Sequence, residues 1–155
     1  MRWICLLIGL SFYTFLPAHA GHSAPKIFLR IHVQTAGEGQ SAQEATSVTI
    51  PPTNEQILVR TLPDLNEQEL ISVEQDDAGL HLQFNHTGTV DLDAVTAQNQ
   101  GRILVVMIDA TVIYAPIIDQ EITNGHLDIP HPLPPQVVQL LQEVVKNNLR
   151  QAART

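Results

Sequence analysis

A continuous apolar run, Ile103 to Ile108 (ILVVMI), is the feature of this sequence that most limits its possible folds. The run has the length of a β-strand and falls far below the roughly 20 apolar residues that a membrane-spanning helix needs. A strand without a polar face is favoured where both of its faces are covered. We therefore expect Arg102–Asp109 to form a central strand that is covered by a helix on at least one face.

Shorter segments before and after this run alternate apolar and polar residues, which is typical of half-buried strands. The predicted strands are Ile27–Val33, Ser47–Ile50, Gln56–Leu62, Leu70–Glu74, Leu80–Phe84, Val112–Tyr114 and a strand that contains Leu127 and Ile129. Turn residues predict a hairpin at Gln75–Gly79 and another at Asn124–Gly125, which leads into the last strand. Pro116 has no N–H to donate, so we expect an edge strand or a bulge beside it.

Two segments have the three- and four-residue spacing of helices. The first, Thr87–Gln98, is expected to begin at a Thr87 or Thr89 cap and to end before Gly101. The second, Pro135–Arg150, has a proline in its first turn and a wide apolar stripe. The order of strands, helix, strands and helix predicts an α+β fold, with a mainly antiparallel sheet and two helices packed on one face.

Residues 1–20 have the pattern of a secretory signal peptide. Arg2 precedes an apolar stretch from Trp3 to Leu16, and Ala18-His19-Ala20 supplies the small residues at which signal peptidase cleaves. An uncleaved anchor is the alternative, although this stretch is shorter than a spanning helix requires. We expect residues 21–155 to form one domain, periplasmic or secreted, with no membrane insertion after cleavage. Cys5 is the only cysteine, so this domain has to fold without a disulfide.

Composition and missing motifs argue against several functions. The chain carries 16 Asp and Glu against 8 Lys and Arg residues, whereas nucleic-acid binding relies on clustered Lys and Arg. After the signal peptide there is neither a cysteine nor a Gly-x-Ser-x-Gly motif, which argues against a nucleophilic enzyme. Gly37-Glu38-Gly39 lacks the third glycine of a nucleotide-binding loop. We expect no catalysis, no nucleic-acid partner and no cofactor.

The histidines leave one alternative open. His32 and His81 are expected on the outward faces of alternating strands, and His126 begins another strand. If these strands were neighbours, their imidazoles could bind Zn²⁺ or Cu²⁺. Gly21-His22 at a free N-terminus could also hold Cu²⁺ weakly. No His-x-His or His-x-x-x-His spacing indicates a preformed site, so solvated strand faces are the simpler interpretation.

The segment Gly101–Gly125 (GRILVVMIDATVIYAPIIDQEITNG) resembles the head part of the first periplasmic domain of SecD, the accessory subunit of the bacterial protein-export channel. The shared pattern is a glycine, a basic residue, an apolar strand, an aspartate at a turn, a Val-Ile-x-Ala-Pro strand and a glycine-containing turn. It falls here on Gly101, Arg102, Ile103–Ile108, Asp109, Val112, Ile113, Ala115, Pro116, Ile118, Ile122 and Gly125. The helix end Leu92–Asn99 is also similar, and the resemblance covers roughly residues 70–145.

This resemblance implies a ferredoxin-like α+β head without enzymatic activity, whose partner is a protein or an unfolded polypeptide. Its candidate structural or partner-contact residues are Gly101, Asp109, Tyr114, Ala115, Pro116 and Gly125. The strand edge at Tyr114–Ile118 would offer backbone groups to an extended chain. Asp109 is expected to accept hydrogen bonds from N–H groups of its own turn. A structural or oligomerising envelope protein remains an alternative, and the sequence leaves the oligomeric state open.

Three departures from the SecD pattern are visible. Asp109-Ala110 replaces the Asp-Gly turn, and Pro130–Pro135 replaces a Gly-Phe-Thr stretch before the last helix. The membrane helices of SecD have no counterpart in this sequence. We therefore expect the fold and a polypeptide-contacting role to carry over, but not coupling to the proton gradient.

Overall fold

The strands in the described part of this protein are distributed over three antiparallel sheets rather than one. The computed structural model describes residues 26–35 and 45–154, and the predicted signal peptide and residues 36–44 lie outside these ranges. Within the described residues there are nine β-strands, two α-helices and one 3-10 helix. The predicted α+β class, mainly antiparallel with two helices, is confirmed.

The strands are β1 (Leu29–Val33), β2 (Ala45–Ile50), β3 (Glu55–Arg60), β4 (Leu65–Asn66), β5 (Leu70–Gln75), β6 (Leu80–Phe84), β7 (Leu104–Ile108), β8 (Thr111–Tyr114) and β9 (His126–Ile129). The helices are α1 (His86–Gln98), α2 (Pro135–Ala152) and the 3-10 helix Glu67–Glu69. Among these described residues, no helix is long and apolar enough to cross a lipid bilayer.

The central sheet has the strand order β4-β1-β7-β8, the hairpin sheet is β2-β3, and the outer sheet has the order β5-β6-β9. β7, the most apolar strand, lies between β1 and β8, in register with β1 from Leu104↔Val33 to Ile108↔Leu29. The prediction that this run forms an interior strand is therefore confirmed. Among residues 26–35 and 45–154, β8 has a strand neighbour on one side only, and its pairing with β7 contains an irregularity between Val106 and Met107.

Both faces of the central sheet are covered by apolar side chains. The inner cluster contains Leu104 and Val106 of β7 together with Leu92 of α1 and Leu141 of α2. The hairpin sheet covers the other face, where Val105 of β7 packs with Val48, Ile50, Ile57 and Val59. An uninterrupted apolar strand is stable here because its alternate side chains enter two separate clusters.

The start of α1 differs from the prediction. Its cap is Asn85, whose side-chain oxygen accepts the Gly88 N–H at 2.9 Å. Thr89 lies inside the helix, where its hydroxyl donates to the Asn85 carbonyl at 2.8 Å. Asn is at least as good a cap as Thr. Gly88 is needed at this position because a Cβ there would lie 2.9 Å from the Glu69 Cβ.

The predicted hairpin at Asn124–Gly125 is wrong in its pairing. β9 follows this turn but pairs with β6, for example Leu82 with Leu127, and not with the segment that precedes the turn. Gly125 has a φ of +68°, and its carbonyl accepts the Phe84 N–H at 2.9 Å. That bond begins the β6–β9 ladder. The local Asn-Gly signal was correct for a turn, but it carries no information about which strand the next segment meets.

Candidate functional site

A cleft separates the open edge of the central sheet from the open edge of the outer sheet. β8 and β9 are the terminal strands of these two sheets. Residues 114–124 run from β8 around the cleft, and β9 closes its far side. The cleft has a volume of about 340 Å³ and reaches down to Leu104 and Leu127. Two strand ends and one irregular segment thus form a recess with both apolar and polar walls.

The rim of this cleft is acidic. Asp119, Glu121 and Asp128 line it and are exposed, and none of its lining residues is Lys or Arg. Ile117 lies among these carboxylates with 65% of its surface exposed. A large exposed apolar side chain in an acidic cleft is suited to an extended segment with apolar and basic residues.

A buried hydroxyl attaches the irregular segment to α1. Thr96 is fully buried, and its Oγ1 donates to the Leu92 carbonyl at 2.7 Å and accepts the Ile122 N–H at 2.9 Å. At the other end of the segment, the Ile118 N–H donates to the Arg102 carbonyl at 2.8 Å. These bonds give the cleft wall a defined position although it is neither helix nor strand.

The predicted contact residues Tyr114 and Pro116 line the cleft, whereas Ala115 does not. Tyr114 packs against the inner cluster, with its ring edge-on to His131 at a centroid distance of 6.3 Å. Ala115 points to the other face and packs against the hairpin cluster. The Pro116 carbonyl accepts the Leu104 N–H at 2.9 Å, so the chain stays paired with β7 beyond β8.

The other three predicted residues lie at turns and not in the cleft. Gly101 has a φ of +81°, and its N–H donates to the Ile118 carbonyl. Gly125 must be glycine because a Cβ would lie 2.1 Å from the Thr89 hydroxyl. The Asp109 carboxylate accepts the Phe28 N–H at 2.9 Å. The prediction that Asp109 bonds its own turn is wrong, since both its carboxylate and its N–H bond to the residue before β1.

His81 is held between two carboxylates on the exposed face of the outer sheet. Its Nδ1 lies 2.7 Å from an Asp128 oxygen and its Nε2 lies 3.2 Å from an Asp76 oxygen. Both ring nitrogens can donate only when the imidazole is protonated. The hydrogen bond to Asp128, followed by that to Asp76, therefore raises the pKa of His81. The hydrogen bond from His81 lowers the pKa of Asp76.

His32 does not lie on a solvated face, contrary to the prediction. It is 7% exposed, between the central sheet and the hairpin sheet, and its Nδ1 donates to the Arg60 carbonyl at 2.9 Å. Burial lowers the pKa of His32. His32 and His81 belong to different sheets, so their imidazoles do not converge. Among residues 26–35 and 45–154, no group of three or more His, Cys, Asp or Glu side chains could hold a metal ion.

Sequence reasoning missed the acidic rim and the buried Thr96. The available signal was Asp119-Gln120-Glu121, a polar stretch between two apolar residues in a region otherwise predicted to be extended. Asp128 alternates with buried Leu127 and Ile129 and is therefore recognisable as an outward residue of its strand. Nothing local, however, shows that these carboxylates share one cleft.

Fold and cleft together define a small α+β module with an open sheet edge beside an acidic recess. The chain belongs to the SecDF P1 head subdomain family, whose model matches residues 53–136, more than half of its 155 residues. The resemblance seen in the sequence is thereby confirmed. No match was found among curated protein sequences.

Two solved SecDF structures have a similar fold. The first is a membrane component SecDF that enhances protein export, with a TM-score of 0.57 and 18% sequence identity over 79% of this chain. The second is SecDF in a super-membrane-facing form, with a TM-score of 0.55 and 18% identity over 77% of this chain. The present chain spans 63% of the first SecDF chain and 18% of the second.

Proposed function

We propose that this protein is an exported, non-catalytic module of the cell envelope that contacts unfolded polypeptide or a protein partner during protein export. Membership of the SecDF P1 head subdomain family supports the link to export, and one solved SecDF of similar fold is described as enhancing that process. The sequence pattern of a signal peptide supports a periplasmic or secreted location. Contact with polypeptide is supported by the open edge at Tyr114–Ile118.

The open edge provides a means of binding that does not depend on a particular sequence. Within the part of the chain that the structure describes, β8 pairs with β7 on one side only, so the backbone groups of its other side are available to an added strand. An extended chain that binds there gains main-chain hydrogen bonds, which are common to all polypeptides.

The cleft beside this edge adds a preference for certain side chains. Exposed Ile117 offers apolar area, and Asp119 and Glu121 attract basic side chains without being desolvated themselves. Rim charges of this kind mainly increase the rate of association and depend on salt. We therefore expect weak, fast binding of unstructured segments that contain apolar and basic residues.

A titration of the ¹⁵N-labelled protein with a short unstructured peptide that contains leucine and lysine tests this function. Amide shifts are expected at residues 114–124 and 126–128. Ile117→Glu is expected to weaken binding about tenfold, equivalent to about 1.4 kcal/mol. The matched control is Leu62→Glu, because Leu62 is 80% exposed and lies in a turn between β3 and β4.

Equal affinity of the two variants would remove the cleft from the proposal. An absence of shifts at millimolar peptide would remove polypeptide binding altogether. A second candidate function, assembly of an envelope oligomer through the β8 edge, is favoured by the same open strand edge. Light scattering distinguishes the two, since an assembly role requires a stable symmetric oligomer in the absence of peptide.

A further inference from the structure

A second recess lies on the opposite face of the central sheet, between β2 and β8. β2 is an edge of the hairpin sheet, just as β8 is an edge of the central sheet. Thr46–Thr49 of β2 and Thr111–Val112 of β8 line this recess, which we call the β2–β8 seam. Met107 forms part of its floor, and its volume is about 550 Å³. Two strand edges therefore face one open space.

The seam is the opening in an otherwise connected arc of strands. At the far side of the arc, the end of β1 joins β3 through the bridge between Gln34 and Val59. The Thr35 N–H also donates to the Leu58 carbonyl at 2.8 Å. The order β2-β3-β1-β7-β8 is thus continuous in the described part of the chain, and its two ends flank the seam. One additional strand would connect these ends.

The interior of this arc is apolar where the seam opens. Met107, Val112 and Ala115 are only partly buried, yet they pack against the buried cluster of Val105 and the hairpin-sheet residues. None of the described residues that line the seam carries a charge, although the chain has a formal net charge of −8. The seam therefore differs in chemistry from the acidic cleft around Asp119 and Glu121, and it disfavours a charged occupant because that occupant would lose water without gaining an ion pair.

We propose that the β2–β8 seam binds one uncharged extended segment of a polypeptide, which adds as a strand between the two edges. Alternate side chains of this segment enter the apolar interior beside Val48 and Val112, and its backbone bonds to β2 on one side and to β8 on the other. This inference rests on the proposed function, because the occupant is the same class of partner. Uncharged segments would then bind at the seam, which is separate from the acidic cleft.

The test uses the protein produced from its full coding sequence and purified in the form that the cell accumulates. The probe is a blocked peptide in which valine alternates with serine, and the ¹⁵N spectrum is followed during titration. Shifts are expected at residues 46–49 and 110–112, without shifts at 117–124. Thr111→Asp, at an exposed position of the seam, is expected to weaken binding at least tenfold.

Two controls separate the seam from the cleft. Thr123→Asp makes the same change at an exposed residue of the cleft and is expected to leave this peptide's affinity unaltered. In the second control, proline replaces the central residue of the same peptide. This removes one backbone N–H from the added strand, so the peptide is expected to bind at least tenfold more weakly.

Shifts confined to the cleft would overturn the seam while leaving the proposed function intact, whereas an absence of shifts with both peptides would overturn both. Contacts between the seam and another segment of this chain, or a second copy, in the peptide-free protein would also overturn the inference.

Discussion

Replacing Thr96 with valine isolates the hydrogen bond that holds the cleft wall to α1. Valine has nearly the same shape as threonine, so the change removes the hydroxyl and little else. The Leu92 carbonyl keeps its helical N–H partner, but the Ile122 N–H loses the acceptor that it has at 2.9 Å. A partly buried N–H without a partner costs about 1–3 kcal/mol, and we expect a loss of unfolding free energy in this range.

Thr96→Ser is the matched variant. It keeps the hydroxyl and loses one buried methyl group, which costs about 1 kcal/mol. Stability alone therefore separates the two variants poorly, and the decisive measurement is hydrogen exchange at the Ile122 amide. In Thr96→Val we expect the Ile122 amide to exchange faster by more than the global loss of stability accounts for, whereas in Thr96→Ser it should exchange faster by no more than that loss. Urea denaturation of the same samples supplies the global free energies.

The reasoning would be refuted if Thr96→Val left the Ile122 amide as protected as in the wild type. That result would mean that the wall is positioned by packing of Ile118 and Ile122 and not by the hydroxyl. A variant with a looser wall should also bind the lysine-containing peptide more weakly, because the bound geometry must then be ordered during binding. Unchanged affinity together with faster exchange would show that the wall orders without measurable cost.

Two further predictions concern a turn and a charge cluster. Ala110 has a φ of 65° in the β7–β8 turn, so Ala110→Gly is expected to stabilise the protein by about 0.5 kcal/mol in urea denaturation, the strain of a left-handed alanine outweighing the added chain entropy; a loss of stability would contradict this. The pKa of His81 is raised above its ordinary 6.5 by Asp128 and Asp76, so its contribution is fully present below about pH 6.5 and is lost as pH rises through the higher folded-state value. The stability difference between wild type and His81→Gln should therefore be larger at about pH 5.5 than at about pH 8.5. Buried His32 makes the opposite contribution, because its lowered pKa favours the folded state at higher pH. This contribution is present in both proteins and cancels in the difference. A difference that does not change with pH would show that the ion pairs do not form in solution.

Local patterns predicted the type of each element well where one physical signal dominated. The apolar run of β7 indicated an interior strand, and the three- and four-residue spacing of α2 indicated a helix along one side of the core. The prediction for α1 was correct in extent but not in its cap, because Asn85 precedes two threonines that are also good caps. Gly88 in the first turn also lies close to Glu69, a contact that no local pattern contains.

Sequence reasoning failed where two distant segments meet. The Asn-Gly turn predicted a hairpin, yet β9 pairs with β6, more than forty residues earlier in register Leu82↔Leu127. The alternation of β1 predicted that His32 points away from the inner cluster, and this was correct. It did not predict that the hairpin sheet covers the other face of the central sheet. For the same reason Asp109 was assigned to its own turn, although it bonds to Phe28.

The sequence by itself determined that this chain forms an α+β body around an apolar strand, and the motif from Gly101 to Gly125 indicated its family. These properties follow from local residue spacing, because side-chain period and turn chemistry act over a few residues. Tertiary structure alone decided that β8 and β9 flank an acidic cleft and that β2 and β8 flank an uncharged seam. Which strand edges remain open depends on long-range packing. The residues that pack together are far apart in the sequence, so local patterns do not show which of them meet.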